Sequence, residues 1–401
     1  MRISTQTMNS MAVNAMLDQQ ASLAKLQNQV ASGKKVSTPA DDPVAAVHIL
    51  ELERTQSESD QFGKNANIVQ SRLNQEEQAM TDTGTIMQRV RELAVQAGNT
   101  ATLSDSDRQS IATEIQARRQ ELVDIANRKD SNGEFLFAGF STLTQPFAND
   151  AVGSVNYAGD RGARVIQVGP TQKIADSDSG YDVFMNLQQG NGTFVTGAAS
   201  TNTGSGMIDL GTMVNRSAWV PGTYTLNFTT PTDWQVVDGA TPSNVVASGT
   251  YTAGSAIAFN GVQVSVTGTP AAGDSFTVSP AGKQDIFTTL DNMVAALQKP
   301  STGSAGSAQL AMSVAQSLQQ LDQANDHFLS VRATVGSRLN TLDDASTARD
   351  NLNIDLQSSL SDLRDLDYAK ALTQMTQQVV GLQAAQQSYS KISQLSLFNY
   401  L

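Results

Sequence analysis

Two stretches at opposite ends of this 401-residue chain repeat apolar side chains at alternating steps of four and three. In the last forty-odd residues the series is Tyr368, Leu372, Met375, Val379 and Leu382, continued by Gln386 and Tyr389. Near the start, Ala12, Met16, Leu23, Leu26 and Val30 keep the same spacing, with Asn9 and Gln19 as polar members. Such steps put every member on one narrow seam of a helix, the heptad register of a coiled coil rather than the wider face of a globular helix. A seam needs a partner, and each end is a candidate for the other. If they pair, the chain leaves and returns along one axis, and everything between is an insertion into a helical hairpin. Gly381 is the one helix breaker in the two runs; it costs about 1 kcal/mol against Ala, and close approach of a neighbouring backbone would be a reason for it. So few seam residues cannot offset the entropy of ordering two long helices. The isolated ends are therefore expected to be mobile and to order only against other molecules, which makes them polymerisation elements.

Charge narrows the choice of partner. The formal net charge of -12 argues against nucleic acid, because phosphate binding needs clustered Lys and Arg. Lys34-Lys35 and Arg118-Arg119 are the basic doublets, and both read as solvated faces. The absence of cysteine excludes disulfides, thiolate metal sites and cysteine catalysis, and it suits a chain that passes unfolded through a narrow route. No cleavable secretory signal is expected: Arg2 is the lone early charge, and Asn9, Ser10 and Asn14 break any apolar core. No run approaches the length of a membrane span, so no membrane partner is expected. Taken alone, these features read as a cytoplasmic protein.

After the first heptad run, Gly33 can close a helix, Pro39 forbids its continuation, and Asp42 followed by Pro43 is an N-cap and first helical residue. Gly33, Pro39, Asp42 and Pro43 thus read as a hinge. Asp41 and Asp42 could also be an acid and base pair or a cation site. Adjacent residues diverge, however, and no His, Cys or further acid stands nearby, which favours capping.

A long helix is predicted from Val44 to about Gly98, with Ile68, Leu73, Met80, Met87, Val90 and Leu93 on its apolar face. Ser104 to Asp107 form a capping box, and Ile111, Ile115, Leu122 and Ile125 mark a helix running back. Asn132-Gly133 reads as a turn, and Glu134 to Phe140 alternate like a short strand. From about Ser141 to Lys283 the chain turns rich in Gly, Thr, Ser, Val and Asn. Period-two stretches such as Tyr224 to Phe228 and Val262 to Val266, and the hairpin signal Asn260-Gly261, predict an all-β insertion, either a sandwich or two small subdomains. The sequons at Asn191, Asn215 and Asn227 are chance matches in such a composition, and Gly190-x-Gly192 lacks the third glycine of a dinucleotide fingerprint. Helix resumes near Asp285 and stops at Pro300. Another runs from about Ala308 through Leu342 and on into the terminal seam.

The fold class expected is α+β: a long α-helical coiled-coil rod formed by the N- and C-terminal segments, with an all-β domain inserted in the middle. Its divisions are 1–42, 43–140, 141–283, 284–355 and 356–401. Chemistry has little to rest on. His48 and His327 lie in helical runs without metal-ligand spacing or an orienting neighbour. No G-x-S-x-G elbow or Walker loop occurs, so no enzymatic activity, cofactor or metal is expected.

Residues Val30 to Val36, followed by Thr38-Pro39-Ala40-Asp41-Asp42-Pro43-Val44-Ala45-Ala46, resemble the signature near the start of bacterial flagellins and their relatives. Leu103 to Arg108, Asn132 to Gly139 and Asp367-Tyr368-Ala369-Lys370 match as well. Within the family, the Asp-Asp-Pro-Val form and the ending Ser396-Leu397-Phe398-Asn399-Tyr400-Leu401 are most similar to the hook–filament junction members. The filament subunit, flagellin itself, is the alternative; it more usually has Ala at the place of Pro43 and lacks the Phe398 and Tyr400 ending. The resemblance implies an extracellular flagellar location and export unfolded through the flagellar type III apparatus. It also implies a ring of self-associated copies between hook-associated protein 1 and flagellin, and an export chaperone covering the C-terminal helix. It covers both ends and the helical rod; nothing in the middle β region carries it.

Overall fold

A computed structural model of the protein describes residues 5–99, 103–151, 153–239 and 244–394. The ending Ser396 to Leu401 lies outside the described residues. Six α-helices carry the two ends: α1 (Thr5–Ser32), α2 (Pro43–Ala97), α3 (Asp105–Ala126), α4 (Ile286–Gln298), α5 (Gly303–Arg364) and α6 (Tyr368–Gln394). Between α3 and α4 the chain is built of short strands, so the architecture is helical ends around a central β-rich region. The chain divides into two compact units, one from residues up to Lys64 together with those from Asp344 onward, the other from Asn65 to Asp343.

The unit made of the two chain ends has α1 antiparallel to α6 and the first part of α2 against the last part of α5. Its apolar centre is small: Val36, Ala45, Ile49 and Leu360, with Leu52 and Leu363 beside them. Ser59 Oγ donates to Asn353 Oδ1 at 2.7 Å and ties α2 to α5 further along.

In the Asn65–Asp343 unit, the larger core lies where α2, α3, α4 and α5 converge. Met80, Met87, Val90 and Leu93 meet Ile111, Ile115 and Leu122, then Leu290 and Met293, then Val314, Leu321 and Phe328. The start of α3 follows from its sequence: Ser104 Oγ accepts from Asp107 N–H at 3.2 Å while Ser104 N–H donates to the Asp107 carboxylate at 3.1 Å, satisfying two otherwise orphaned donors. Phe184 is fully buried at the centre of an aromatic group, with ring centroids 5.2 Å from Phe137, 5.5 Å from Phe147 and 5.8 Å from Phe328.

The predicted strand over Glu134 to Phe140 is absent, and only a single bridge, Lys129 to Phe135, forms there. Leu136, Phe137 and Ala138 are buried in succession, which a pleated strand with alternating faces does not allow at one core surface. Gly139 then turns at φ +68°, and the Asp160 carboxylate packs so close that a Cβ there would collide with it. The Phe137 carbonyl is taken instead by Gly180 N–H and Tyr157 Oη.

The β-rich region begins with three pairs of small strands that stand apart from its main sheets. They are β1 (Phe147–Asn149) with β2 (Val155–Tyr157), β3 (Val165–Gln167) with β4 (Lys173–Ala175), and β5 (Leu187–Gln188) with a partner near the end of the region. Phe147, Val155 and Leu187 from these strands belong to the helical core. Then follow β6 (Phe194–Ala198), β7 (Met207–Ile208), β8 (Thr212–Met213), β9 (Tyr224–Thr230), β10 (Asp233–Asp238), β11 (Val245–Thr250), β12 (Ala256–Phe259), β13 (Val262–Thr267), β14 (Ser275–Pro280) and β15 (Lys283–Gln284), the partner of β5. An antiparallel sheet of order β11-β10-β9-β14-β6 and a second of order β12-β13-β7, with β8 also on β13, share one core. Tyr224, Leu226, Phe228, Phe276 and Val278 face it from the first, Ile257, Phe259, Val262, Val264 and Val266 from the second. This alternation of inward apolar and outward polar residues is that of a sandwich. Asn260 at φ +43° and Gly261 at φ +81° make the two-residue turn between β12 and β13, a conformation that Asn-Gly tolerates better than other pairs.

Candidate assembly surface

The residues joining α1 to α2 and those joining α5 to α6 meet. Gly33, at φ +70°, ends α1 in the left-handed region that glycine enters freely. Lys35 N–H then donates to Arg364 O at 2.6 Å and Leu366 N–H to Gly33 O at 2.9 Å, so Lys34 and Asp365 form an antiparallel bridge between the two breaks. The helix predicted to run on from Leu342 into the terminal seam is therefore interrupted over Asp365 to Asp367. Asp367 accepts from Lys370 N–H at 3.1 Å and starts α6 afresh.

Asp42 Oδ1 accepts from Val44 and Ala45 N–H at 3.1 and 3.0 Å and stands at the N-cap of α2, just before Pro43. Asp41 points elsewhere: its Oδ2 accepts from Ser37 and Thr38 N–H, and its Oδ1 lies 3.0 Å from Lys25 Nζ on α1. The Lys25 ammonium, with the Thr38 and Ser37 amides, holds the Asp41 carboxyl down to about 2. Pro39 lies exposed in the turn between them. The two aspartates thus serve different segments of backbone. Among the described residues no group of three or more His, Cys, Asp or Glu could hold a metal ion, and no helix is long and apolar enough to cross a membrane. His48 pairs with Glu51 at 3.6 Å, and His327 Nε2 lies 2.8 Å from the Asp182 carbonyl.

On α1, the residues turned toward α6 are Asn9, Ala12, Met16, Gln19, Leu23, Leu26 and Val30. Of the described side chains of α1 only Leu26 is buried, and the others of this row are half-covered. On α6 the covered row is Ala371, Met375, Gln378, Leu382, Ala385 and Tyr389, with Val379 at its flank, and only Ala371 is buried. Tyr368 and Leu372 stand outside that row, 51% and 49% exposed, as do Val380 and the exposed Gln386. Apolar residue type gave no hint of Ala371, Gln378 and Ala385. Their signal lies in spacing alone, a four-three series that shares Met375, Leu382 and Tyr389 with the one drawn through larger side chains and falls one residue before it at the positions between. Gly381 faces the side chain of Gln19, where a Cβ would sit 3.4 Å from Nε2, an ordinary contact distance. No close backbone approach accounts for that glycine.

The pair is thus covered on one side only. Met8, Met11 and Leu17 on α1 are exposed, like Tyr368, Leu372 and Val380 on α6. A groove of about 330 Å³ opens between the helices near Ala12, Ala15, Met16, Ala385 and Tyr389. The Gln378 Oε1 atom is buried with no partner, which weakens the pairing.

Models of the bacterial flagellin helical regions match both ends of the chain, the N-terminal region at residues 3–142 and the C-terminal region at 318–401. The D2-like domain of flagellar hook-associated protein 1 matches residues 198–280, which spans most of the sandwich. Flagellar hook-associated protein 3 of Escherichia coli (strain K12) is 26% identical over 399 residues, 99% of each chain. The crystal structure of Xanthomonas campestris FlgL is 35% identical, with a TM-score of 0.73 over 77% of this chain and 99% of that one. The flagellar junction protein FlgL from Legionella pneumophila is 34% identical, with a TM-score of 0.71 over 79% of this chain and all of its own.

Proposed function

From the premise that this chain belongs to the flagellin family, within it to the FlgL group of hook-associated protein 3, we propose that it forms a ring of copies held together by its terminal helices. It is a structural protein of the flagellar hook–filament junction. The ring lies between hook-associated protein 1 and flagellin. The terminal helices of adjacent copies pack side by side as the inner wall of a tube, and the sandwich faces solvent.

The observation that carries this reading is the one-sided cover of α1 and α6. Each buries a single described side chain within its own chain while Tyr368, Leu372, Leu17 and Met11 remain exposed. Apolar residues left in this way on a helix pair are contact area awaiting neighbours. The covered seam, Ala12, Met16, Leu23, Leu26 and Val30 with Met375, Val379, Leu382 and Tyr389, shapes each copy's own pair. Gln19 in that seam fixes register at some loss of stability. Gly33, Pro39, Asp42 and Pro43 set where α1 gives way to α2.

Before export the same exposed residues of α6 are covered by a flagellar chaperone. The chain then travels unfolded, which a cysteine-free sequence allows without crosslinking. Deleting the gene tests the junction reading: hooks remain intact and flagellin is shed into the medium. Full-length filaments on the deletion strain would overturn it. Purified protein added to filament seeds leaves their length unchanged, whereas a filament subunit would extend them.

A further inference from the structure

A second feature of the molecule lies far from the terminal helices in sequence, inside the Asn65–Asp343 unit. Three guanidinium groups and five carboxyl groups meet where α2, α5, the 128–136 turn and the ribbon of β3 and β4 come together. Arg72, buried on α2, lies 2.5 Å from Asp130, 3.1 Å from Glu134 and 3.1 Å from Asp176, the last as an ion pair without hydrogen-bond alignment. Arg164 from the ribbon holds Asp176 at 2.6 Å and Glu134 at 3.4 Å, and Arg338 from α5 holds Asp178 at 2.7 Å. One turn along α2 from Arg72, Glu76 is completely buried.

Glu76 has no cation of its own. One of its oxygens accepts from Asp178 N–H at 3.2 Å, and the other has no partner. The ribbon presents Asp176 and Asp178 to it. From α5 comes Arg338, already engaged by Asp178, and on α2 itself Arg72 is occupied by Asp130 and Asp176. The adjacent Glu77 is taken by Arg332 of α5 and brings no free charge. With Asp130, Glu134, Asp176 and Asp178 ionised, four negative charges already face three positive ones. A fifth carboxylate, shielded from water, would be expensive.

We propose that Glu76 is a proton-dependent latch: its neutral form lets the β3–β4 ribbon and the Asp176 to Asp178 segment close over α2 and α5, and its ionisation loosens them. Burial, followed by the Asp178 charge, pushes the Glu76 carboxyl from 4.5 up to about 8. The closed form therefore holds a proton that the opened form gives up to water. A raised acid favours the closed form fully below its open-state value. That advantage fades as pH rises toward 8 and is spent above it.

The test is hydrogen exchange in the full-length protein, followed by mass spectrometry on peptides spanning residues 164–178, in wild type and in Glu76→Gln. Gln is the shape of the neutral acid and carries no proton to lose. Between about pH 5.5 and 8, the ratio of wild-type to variant exchange in these peptides is expected to rise by up to about tenfold per unit and then level off. Peptides from β9 and β14 in the sandwich serve as the internal control and keep a constant ratio. If Glu76→Gln folds poorly, Asp178→Asn replaces it. Removing that neighbouring charge lowers the value of Glu76 in the closed form, so the profile levels off at a lower pH than in wild type while its onset stays in place. A ratio independent of pH in the first variant, or a levelling-off that does not move in the second, overturns the latch.

Discussion

A Cβ placed on Gly33 would stand 2.9 Å from the hydroxyl of Tyr368, so the residue that ends the first helix is roofed by the residue that begins the last. Gly33 also sits at φ +70°, where any other L-residue is strained. Gly33→Ala is expected to cost about 1 to 2 kcal/mol in the unit made of the two chain ends. It should speed protease cleavage between residues 33 and 37 while the sandwich stays resistant. Adding Tyr368→Phe relieves the contact but not the backbone, so most of the loss should persist in the double variant.

Asp41 gives the same region a dependence on acid. Its carboxyl is held below the usual range by Lys25 and by the amides of Thr38 and Ser37. A depressed carboxylate supports the fold above its unfolded value of 3.8 and withdraws that support as pH falls toward about 2. Relative to Asp41→Asn, exchange of the Ser37 and Thr38 amides in wild type should therefore slow as pH rises from about 2 through 4, and the two proteins should converge as pH falls back toward about 2. Lys25→Met should shift the window upward.

The two rows on α6 separate internal pairing from external contact. Leu372→Asp falls on a half-exposed side chain and is expected to change the stability of the monomer by no more than about 0.5 kcal/mol. Motility and ring formation should nevertheless be lost. Leu382→Asp places a charge in the covered row, and should cost about 1 to 3 kcal/mol and free both helices to proteases in the monomer itself. Equal motility in Leu372→Asp and wild type would count against an outward-facing role.

In the larger core, Phe184 touches four other aromatic rings. Phe184→Ala is expected to destabilise the Asn65–Asp343 unit by about 3 to 5 kcal/mol, measured by urea denaturation. Ser104→Ala, which removes only a helix cap, should cost about 1 kcal/mol in the same assay.

Local chemistry made several of these features readable in advance. The Ser104 to Asp107 box and the Asn260-Gly261 turn depend on residues that satisfy or permit backbone geometry within a few positions. The change to Thr-, Gly- and Val-rich composition after Ser141 marked where strands begin. Glu134 to Phe140 misled because its alternation of size mimics a strand, whereas buried contacts on every side and the Asp160 carboxylate fold it into turns. The break at Asp365 to Asp367 left a signal, an Asp three residues before Lys370, that was masked by continuous helical spacing on both sides. On α6, Ala371 and Ala385 carry almost no hydropathy signal, so the row facing α1 shows only in its four-three spacing, which the larger side chains of Leu372 and Val379 draw one residue away. The charged cluster around Glu76 draws on five separate segments of sequence, and no spacing rule links them.

The bridge between Lys34 and Asp365 joins positions separated by nearly the whole sequence. Closing so long a loop from a disordered chain is slow and entropically unfavourable. The interior shortens it: once Ala66 and Leu342 share a cluster, only two short tails remain to be joined. The middle of the polypeptide is therefore expected to solidify first and its extremities last. Warming or denaturant should run the sequence backwards, so that the parts a neighbour must grip are the first to melt and the last to set.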